Sequence, residues 1–126
     1  MMGKLVFFVD DDKMILNLLE YTLKNKQDYE VETFFTGEEC INNMGMNPDL
    51  IVLDHNFKSN GTSRKNGLEI LKEIKQINHN LPVIILTGQE DQTLADEFIS
   101  NGATKFIPKN DYFIDALLET IEKQIF

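Results

Sequence analysis

The sequence predicts an α/β protein in which five parallel strands alternate with five helices. Three observations lead to this fold class. Three short runs are apolar at every position, as expected of strands that are buried on both faces. Segments with apolar residues at helical spacing separate the runs. Strands and helices that alternate in this way form a doubly wound (βα)5 sheet with helices on both faces.

The predicted strands differ in their burial. Strands that are apolar throughout belong in the middle of the sheet, because helices cover them on both faces. The second strand alternates between apolar and polar residues, which fits a position nearer the edge. In chain order the predicted strands are residues 5–9, 29–34, 50–53, 82–86 and 105–108.

Each predicted helix repeats apolar residues three or four positions apart. Asp12 is placed to cap the first helix, and Thr36 or Gly37 begins the second, which residues 45–48 end. The third begins at Gly67. Asn101–Gly102 closes the fourth as a C-terminal cap. The apolar positions include Ile15, Leu16, Leu19 and Leu23 in the first helix and Leu68, Leu71, Ile74 and Ile77 in the third. In the fourth helix they include Leu94, Ala95, Phe98 and Ile99, and in the fifth Phe113, Ile114, Leu117, Leu118, Ile121 and Ile125.

Length and composition predict one domain, residues 1–126. The formal charge of −9 argues against direct binding to nucleic acid or to an anionic membrane, because both require a basic surface. No apolar run approaches the ~20 residues of a membrane span, and the first four residues lack a signal-peptide core. The single cysteine, Cys40, cannot form an internal disulfide, which favours a cytoplasmic location. We expect it to be a half-buried residue of a helix.

Polar residues follow the predicted strands at the edge of the sheet where all five end. Asp10 and Asp11 follow the first strand, and Asp54 follows the third. Thr87 follows the fourth strand and Lys109 the fifth. In one common order of such sheets, 2-1-3-4-5, the first and third strands are neighbours, which would bring the three carboxylates together.

Clustered carboxylates repel one another unless protons or a cation intervene. Oxygen ligands with room for water suit a hard divalent ion, and Mg²⁺ is the expected one. A lysine and a hydroxyl beside the ion would complete a phosphoryl-binding site, where one carboxylate can become an aspartyl phosphate. The alternatives are that the acids only cap a helix, that Thr87 only ends a strand and that Lys109 is a solvated surface residue. A single cap needs a single residue, which argues against the first alternative. Thr87 and Lys109 stand at the ends of strands, so we favour the functional interpretation for them as well.

The sequence resembles a response-regulator receiver domain over essentially its whole length. Five motifs in this order and spacing carry the resemblance: Val9-Asp10-Asp11-Asp12, Pro48-Asp49-Leu50-Ile51-Val52-Leu53-Asp54, Leu86-Thr87-Gly88, Gly102-Ala103 and Phe106-Ile107-Pro108-Lys109. The resemblance implies a flavodoxin-like (CheY-like) fold with the strand order 2-1-3-4-5.

The resemblance also implies how phosphorylation would occur. Asp54 would be the phosphoacceptor. Asp11 would be the main acidic metal ligand and Asp10 would assist it. Asp54 and the backbone carbonyl of Asn56 would complete the protein's share of the Mg²⁺ shell.

Other residues would respond to the phosphoryl group. Thr87 and Lys109 would contact it and couple its arrival to loop movement. Phe106 would be an aromatic switch that turns inward on activation, unless it is an ordinary strand aromatic. The side chains of Asn56 and Gln89 would influence how fast the acyl phosphate hydrolyses.

The sequence departs from the family in three places. The polar loop at residues 55–66 lacks the usual Met-Pro and is about five residues longer than usual. It is a lid, a partner contact or a plain insertion. Asn110 follows Lys109 where the family has a cis proline, and a cis bond before Asn would cost ~2.5–4 kcal/mol, so the sequence leaves cis or trans open. Phe106 lacks the hydroxyl that many relatives carry.

His55 and His79 have no partner at ligand spacing, and we expect both at the surface.

The leading hypothesis is a stand-alone receiver. It would accept a phosphoryl group from a histidine kinase or a histidine phosphotransfer protein and switch a surface that binds an unknown downstream protein. It would catalyse only its own phosphorylation and dephosphorylation, and it would be a monomer or a weak dimer. The sequence ends just after the fifth helix, so we expect no output domain within it, and it leaves open whether the chain acts alone or was cut from a longer protein.

The alternative from another class is a receiver-fold interaction module that no longer uses phosphorylation. The altered loop and the missing proline suggest it, whereas the complete set of acceptor-site residues argues against it. A metal-dependent phosphatase would need an acid where Asn56 stands. A flavin carrier would need a phosphate-binding loop after the first strand, where three acids stand instead.

Overall fold

The computed structural model describes residues 3–26, 28–54, 66–88 and 91–125. Its strands are β1 (Lys4–Val9), β2 (Tyr29–Phe34), β3 (Leu50–Asp54), β4 (Val83–Thr87) and β5 (Lys105–Pro108). Its helices are α1 (Lys13–Lys24), α2 (Gly37–Asn42), α3 (Gly67–Ile77), α4 (Gln92–Ser100) and α5 (Phe113–Ile125). The strands form one parallel sheet in the order β2-β1-β3-β4-β5, which confirms the predicted fold class and strand order.

The two faces of the sheet bury separate apolar cores, because side chains alternate between the faces along each strand. One core lies under α2, α3 and α4 and includes Phe7, Ile51 and Phe98. The other lies under α1 and α5 and includes Phe8 and Val52. Every residue of β3 and β4 is buried, as the unbroken apolar runs predict.

Side chains fix the ends of the helices as the sequence predicts. Asp12 accepts hydrogen bonds from the backbone N–H groups of the first turn of α1, and Thr36 caps α2 in the same way. Asn66 and Glu69 form a reciprocal capping box at the start of α3. Gly102 follows α4 with a φ of 106°, a left-handed conformation that ends a helix without steric cost when the residue is glycine.

Three details differ from the sequence-based expectations or complete them. Residues 45–48 do not simply end α2, because Met44–Met46 form a 3₁₀ helix that Asn47 ends with a φ of 57°. Cys40 is fully buried rather than half-buried, and burial raises the pKa of its thiol to about 12. The Lys109–Asn110 bond is trans.

Within the described ranges, the helices are too short or too polar to cross a membrane.

Candidate functional site

Asp10 lies at the carboxyl end of β1 in a fixed orientation. Its backbone N–H donates to the carbonyl of Phe34 on β2 at 3.1 Å. Its carboxylate oxygen Oδ1 accepts a hydrogen bond from the backbone N–H of Asp12 at 2.8 Å. Only 2% of Asp10 is exposed. The start of α1 therefore holds a buried carboxylate at the edge of the sheet.

Asp54 ends the neighbouring strand and is 1% exposed. Val9 pairs with Leu53 in the register of β1 and β3. The next residues, Asp10 and Asp54, therefore lie side by side at the carboxyl ends of the two strands. Asp11 is exposed beside them. Oxygen atoms from Asp10, Asp11 and Asp54 all lie within 4.8 Å of one another, so the structure brings together the three acids that the sequence predicts to cluster.

Lys109 brings a positive charge to the two buried acids. Its ammonium Nζ lies 3.1 Å from Asp10 Oδ2 and 2.9 Å from Asp54 Oδ1. The first contact is a hydrogen bond, and the second is an ion pair at a comparably short distance. Asp54 Oδ1 is buried, and apart from the Lys109 ammonium no donor in the described part of the chain reaches it. A carboxylate oxygen can accept more than one contact, so Asp54 Oδ1 keeps acceptor capacity that a further cation could use.

The charges at the site shift two pKa values. Burial, followed by the negative charge of Asp54, raises the pKa of Asp10 to about 6, although the Asp12 N–H and Lys109 act in the opposite direction. Burial alone would lower the pKa of Lys109. The close contact with the negatively charged Asp54, together with Asp10, outweighs that effect and raises the pKa of Lys109. The acids compete for one ammonium group, so the site still favours an additional positive charge.

The three acids meet the requirements of a divalent metal site. They supply only oxygen ligands, one of them exposed to solvent, which suits an ion that retains several waters, as Mg²⁺ does. Clustered acids also occur without a metal. What distinguishes this cluster from an ordinary acidic surface is that two of its three acids, Asp10 and Asp54, are buried.

Thr87 lies on β4, which is next to β3, and Phe106 lies on β5, one strand further from β3. Thr87 ends β4 fully buried, opposite Pro108 in the register of β4 and β5. Phe106 is half-buried and packs against Phe98 of α4, with ring centroids 5.8 Å apart. Its position is consistent with either of its predicted roles, as a switch or as an ordinary strand aromatic.

Two predicted site residues, Asn56 and Gln89, lie outside the described residues. So do His55, which we expect at the surface, and the rest of the 55–66 loop except Asn66. His79 is exposed, as predicted, in the turn between α3 and β4.

Sequence reasoning missed the role of Asn110 in the turn that follows Lys109. Its side-chain oxygen Oδ1 accepts a hydrogen bond from the backbone N–H of Tyr112 at 2.9 Å. An Asn directly after a strand and shortly before a helix is a turn signal, because its side chain often bonds to the backbone two residues on. That signal was present in the sequence.

A profile of the response regulator receiver domain matches residues 6–122. Among curated proteins, the chain is 33% identical over 92 residues to the alkaline phosphatase synthesis transcriptional regulatory protein PhoP of Bacillus subtilis strain 168, covering 72% of this chain and 36% of PhoP. It is 32% identical over 122 residues to the DNA-binding transcriptional regulator NtrC of Escherichia coli K12, covering 96% of this chain and 24% of NtrC. The chain thus spans roughly a quarter to a third of these relatives.

Solved structures give the same result over the whole fold. The BeF3-activated DrrB receiver domain superimposes with a TM-score of 0.82 at 29% identity and 97% coverage of both chains. The response regulator domain of Thermotoga maritima CheB gives 0.82 at 26% identity, covering 98% of this chain and 96% of that one. The chemotaxis protein CheY4 of Vibrio cholerae gives 0.84 at 26% identity, covering 97% and 98%. The chain belongs to the response regulator receiver domain family of two-component systems and has its CheY-like fold.

Proposed function

We propose that this chain accepts a phosphoryl group on Asp54 from a phosphohistidine donor. The observation that carries the proposal is the environment of the Asp54 carboxylate. It lies at the carboxyl end of a central strand, within 4.8 Å of Asp10 and Asp11 oxygens and 2.9 Å from the Lys109 ammonium. Ligands of open α/β sheets bind at this edge.

In the proposed reaction a carboxylate oxygen of Asp54 attacks the phosphorus atom. A P–O bond forms, the P–N bond to the donor imidazole breaks, and its electron pair returns to the imidazole nitrogen. With acetyl phosphate the bond that breaks is P–O and the leaving group is acetate. The product in both cases is an aspartyl phosphate.

The surrounding side chains would stabilise the charge on the transferring group. The Lys109 ammonium would move from the Asp54 carboxylate to the phosphoryl oxygens, and the Thr87 hydroxyl would donate a hydrogen bond to them. Asp10, Asp11 and Asp54, with the backbone carbonyl of Asn56, would hold Mg²⁺. The bound ion would neutralise phosphoryl charge.

The same proposal assigns the switch and its partners. A histidine kinase or histidine phosphotransfer protein would be the donor, and an unknown protein would read the changed surface. Thr87 and Phe106 would link the phosphoryl group to that surface, and Asn56 and Gln89 would tune hydrolysis. Residues 1–126 would act as one cytoplasmic receiver domain, a monomer or weak dimer that catalyses only its own phosphorylation and dephosphorylation.

Acetyl phosphate with Mg²⁺ should add one phosphoryl group to the wild-type protein, as measured by intact-mass spectrometry. Asp54→Asn should abolish the addition, because it removes the nucleophile. Asp28→Asn makes the same chemical change in an exposed residue just before β2, at the opposite edge of the sheet, and should label like wild type. Equal labelling of the wild-type and Asp54→Asn proteins would reject Asp54 as the acceptor.

One observation favours the second candidate, an interaction module without phosphorylation. Lys109 already contacts both buried acids, so the site retains a cation without metal. Isothermal titration with Mg²⁺ discriminates the two candidates. The phosphoacceptor should bind Mg²⁺ and lose the binding in Asp11→Asn, whereas the interaction module should show no binding in either protein.

A further inference from the structure

Lys109 must reach a long way from its own strand to meet the acids. It follows β5, the outermost strand on one side of the sheet, and β4 lies between β5 and β3. Adjacent strands are ~4.8 Å apart, so β5 and β3 are separated by roughly 10 Å. The ammonium nevertheless lies 2.9 Å from Asp54 and 3.1 Å from Asp10 on the strand beyond. A long side chain converts a small backbone rotation at residue 109 into a larger displacement of Nζ.

The backbone on the amino side of Lys109 is held in two ways. Its own N–H donates to the carbonyl of Thr87 at 2.6 Å, which ties it to β4. Pro108 precedes it, and a proline ring fixes its own φ near −65°. The remaining conformational freedom of the Lys109 backbone therefore depends on the residues that follow it.

Asn110 fixes the carboxyl side through three hydrogen bonds. Its N–H donates to the carbonyl of Pro108 at 2.9 Å, and its carbonyl accepts from the N–H of Phe113 at 3.2 Å, where α5 begins. Its side-chain Oδ1 accepts from the N–H of Tyr112 at 2.9 Å. The first two bonds are available to any residue except proline. The third requires a side-chain acceptor, which Asn supplies.

We propose that Asn110 is a positioning residue that directs Lys109 towards Asp10 and Asp54. The bond from Oδ1 to Tyr112 closes the turn between β5 and α5, and the closed turn sets the direction in which Lys109 leaves the strand. Asn110 acts only through the backbone, because its hydrogen bonds in the described part of the chain go to Pro108, Tyr112 and Phe113. Its importance for phosphorylation rests on the proposed function of Asp54.

Loss of the Asn110 acceptor has two consequences of opposite sign. When the turn loosens, the ammonium spends less time at the acids and is less available to the phosphoryl oxygens, so phosphorylation slows. Because the ammonium and a divalent cation are attracted by the same carboxylates, Mg²⁺ binding becomes tighter. A variant that merely destabilised the fold would weaken Mg²⁺ binding as well as slow phosphorylation.

Three variants test the proposal. Asn110→Ala removes the acceptor, and Asn110→Asp restores it. Asn78→Ala is a matched control, because Asn78 Oδ1 also accepts from a backbone N–H two residues on, that of Asn80, at 3.1 Å. This contact lies in the turn before β4, at the end of the sheet opposite the acids. The measurements are the rate of labelling by acetyl phosphate with Mg²⁺, the Kd for Mg²⁺ by calorimetry, and the ¹³C NMR signal of the Lys109 Cε.

Asn110→Ala should be labelled about 10-fold more slowly than wild type, since displacements of ~1 Å in a catalytic group can cost up to ~100-fold. It should bind Mg²⁺ more tightly than wild type, and the Lys109 Cε signal should move towards that of a solvated lysine. Asn110→Asp should recover all three properties, and Asn78→Ala should match wild type in each.

The proposal is overturned if Asn110→Ala matches wild type, if Asn110→Asp resembles Asn110→Ala, or if Asn78→Ala produces the same changes. The proposed function fails separately if the wild-type protein is not labelled at all. In that case the Lys109 NMR signal, measured without Mg²⁺ or phosphate, still decides whether Asn110 positions the lysine.

Discussion

Three consecutive acids after β1 lie in three different environments. Asp10 is buried and contacts Lys109, Asp11 is exposed beside the other carboxylates, and Asp12 caps α1. Of the three, Asp10 bears the desolvation cost of a buried charge. The raised pKa of Asp10 expresses that cost, because burial favours the protonated form of a carboxyl group.

The raised pKa makes the stability of the metal-free protein depend on pH. The pKa of Asp10 rises from 3.8 to about 6 on folding, so between these values the folded state binds the proton more tightly than the unfolded chain. The contribution of Asp10 to the free energy of unfolding is therefore most favourable below its ordinary pKa and is lost as the pH rises through about 6.

Asp10→Asn should stabilise the metal-free protein at pH 7.5 by about 2 kcal/mol, because it removes a buried charge. The gain should nearly vanish at pH 4, where Asp10 is already largely protonated. Urea denaturation without divalent ions at the two pH values measures the difference. Asp28→Asn, at an exposed position, should show no such dependence, and a destabilised Asp10→Asn at pH 7.5 would contradict the assigned cause.

The sequence could predict that these residues form a cluster but not how each is used. Strand ends and apolar runs are local patterns, and they place Asp10, Asp54 and Lys109 at one edge. Burial and pairing depend on residues far away in the chain, such as Lys109, which is 99 residues from its hydrogen-bond partner Asp10. No local pattern shows that Asp10 is buried while Asp11 is exposed.

At the scale of the elements, short-range signals predicted most boundaries. The apolar runs located β1, β3 and β4 to within one residue, and the caps of α1 and α2 lie where the sequence places them. The 3₁₀ helix after α2 was not predicted. It depends on Asn47 in a left-handed conformation, which Asn adopts more readily than most residues and which no apolar pattern marks.

The end of α4 illustrates how an element boundary can be tested. The Ala103 N–H donates to the carbonyl of Phe98 at 3.0 Å, and the Gly102 N–H donates to that of Ile99, also at 3.0 Å. This pair of bonds is the Schellman motif and requires the positive φ of Gly102. A Cβ at Gly102 would also lie 3.2 Å from the side chain of Lys75.

Gly102→Ala should therefore destabilise the protein by about 1–2 kcal/mol, because alanine is strained at positive φ. Gly45→Ala is the matched control: a Cβ there would meet no atom within 4 Å. It should be neutral or slightly stabilising through the reduced entropy of the unfolded chain. Urea midpoints of the two variants measure the difference, and equal midpoints would show that the left-handed cap is unimportant.

At the scale of the whole molecule, the topology concentrates charge at one sheet edge. The chain has a net charge of −9, and its order of strands brings two acid-bearing strand ends side by side. Acids this close oppose folding unless a cation compensates them, and Lys109 supplies only one positive charge. Strand order itself could be anticipated through the family resemblance alone, because local patterns do not specify which strands are neighbours.

A divalent cation that binds the folded protein should stabilise the whole fold. At a Mg²⁺ concentration ten times its Kd, the free energy of unfolding should increase by about 1.4 kcal/mol. For a domain of this size, that corresponds to an increase in Tm of about 3–6 °C. The increment should be absent in Asp11→Asn, which removes a carboxylate of the cluster.

Asp12→Asn provides the comparison, because it removes the same charge one residue away and Asn also caps helices well. Its Mg²⁺ increment should stay close to that of wild type, since Asp12 uses its side chain to cap α1. Thermal unfolding with and without Mg²⁺ measures both variants. If the two lose the increment equally, Mg²⁺ responds to the general acidity of this sheet edge. If only Asp11→Asn loses it, the ion occupies a site formed by Asp10, Asp11 and Asp54.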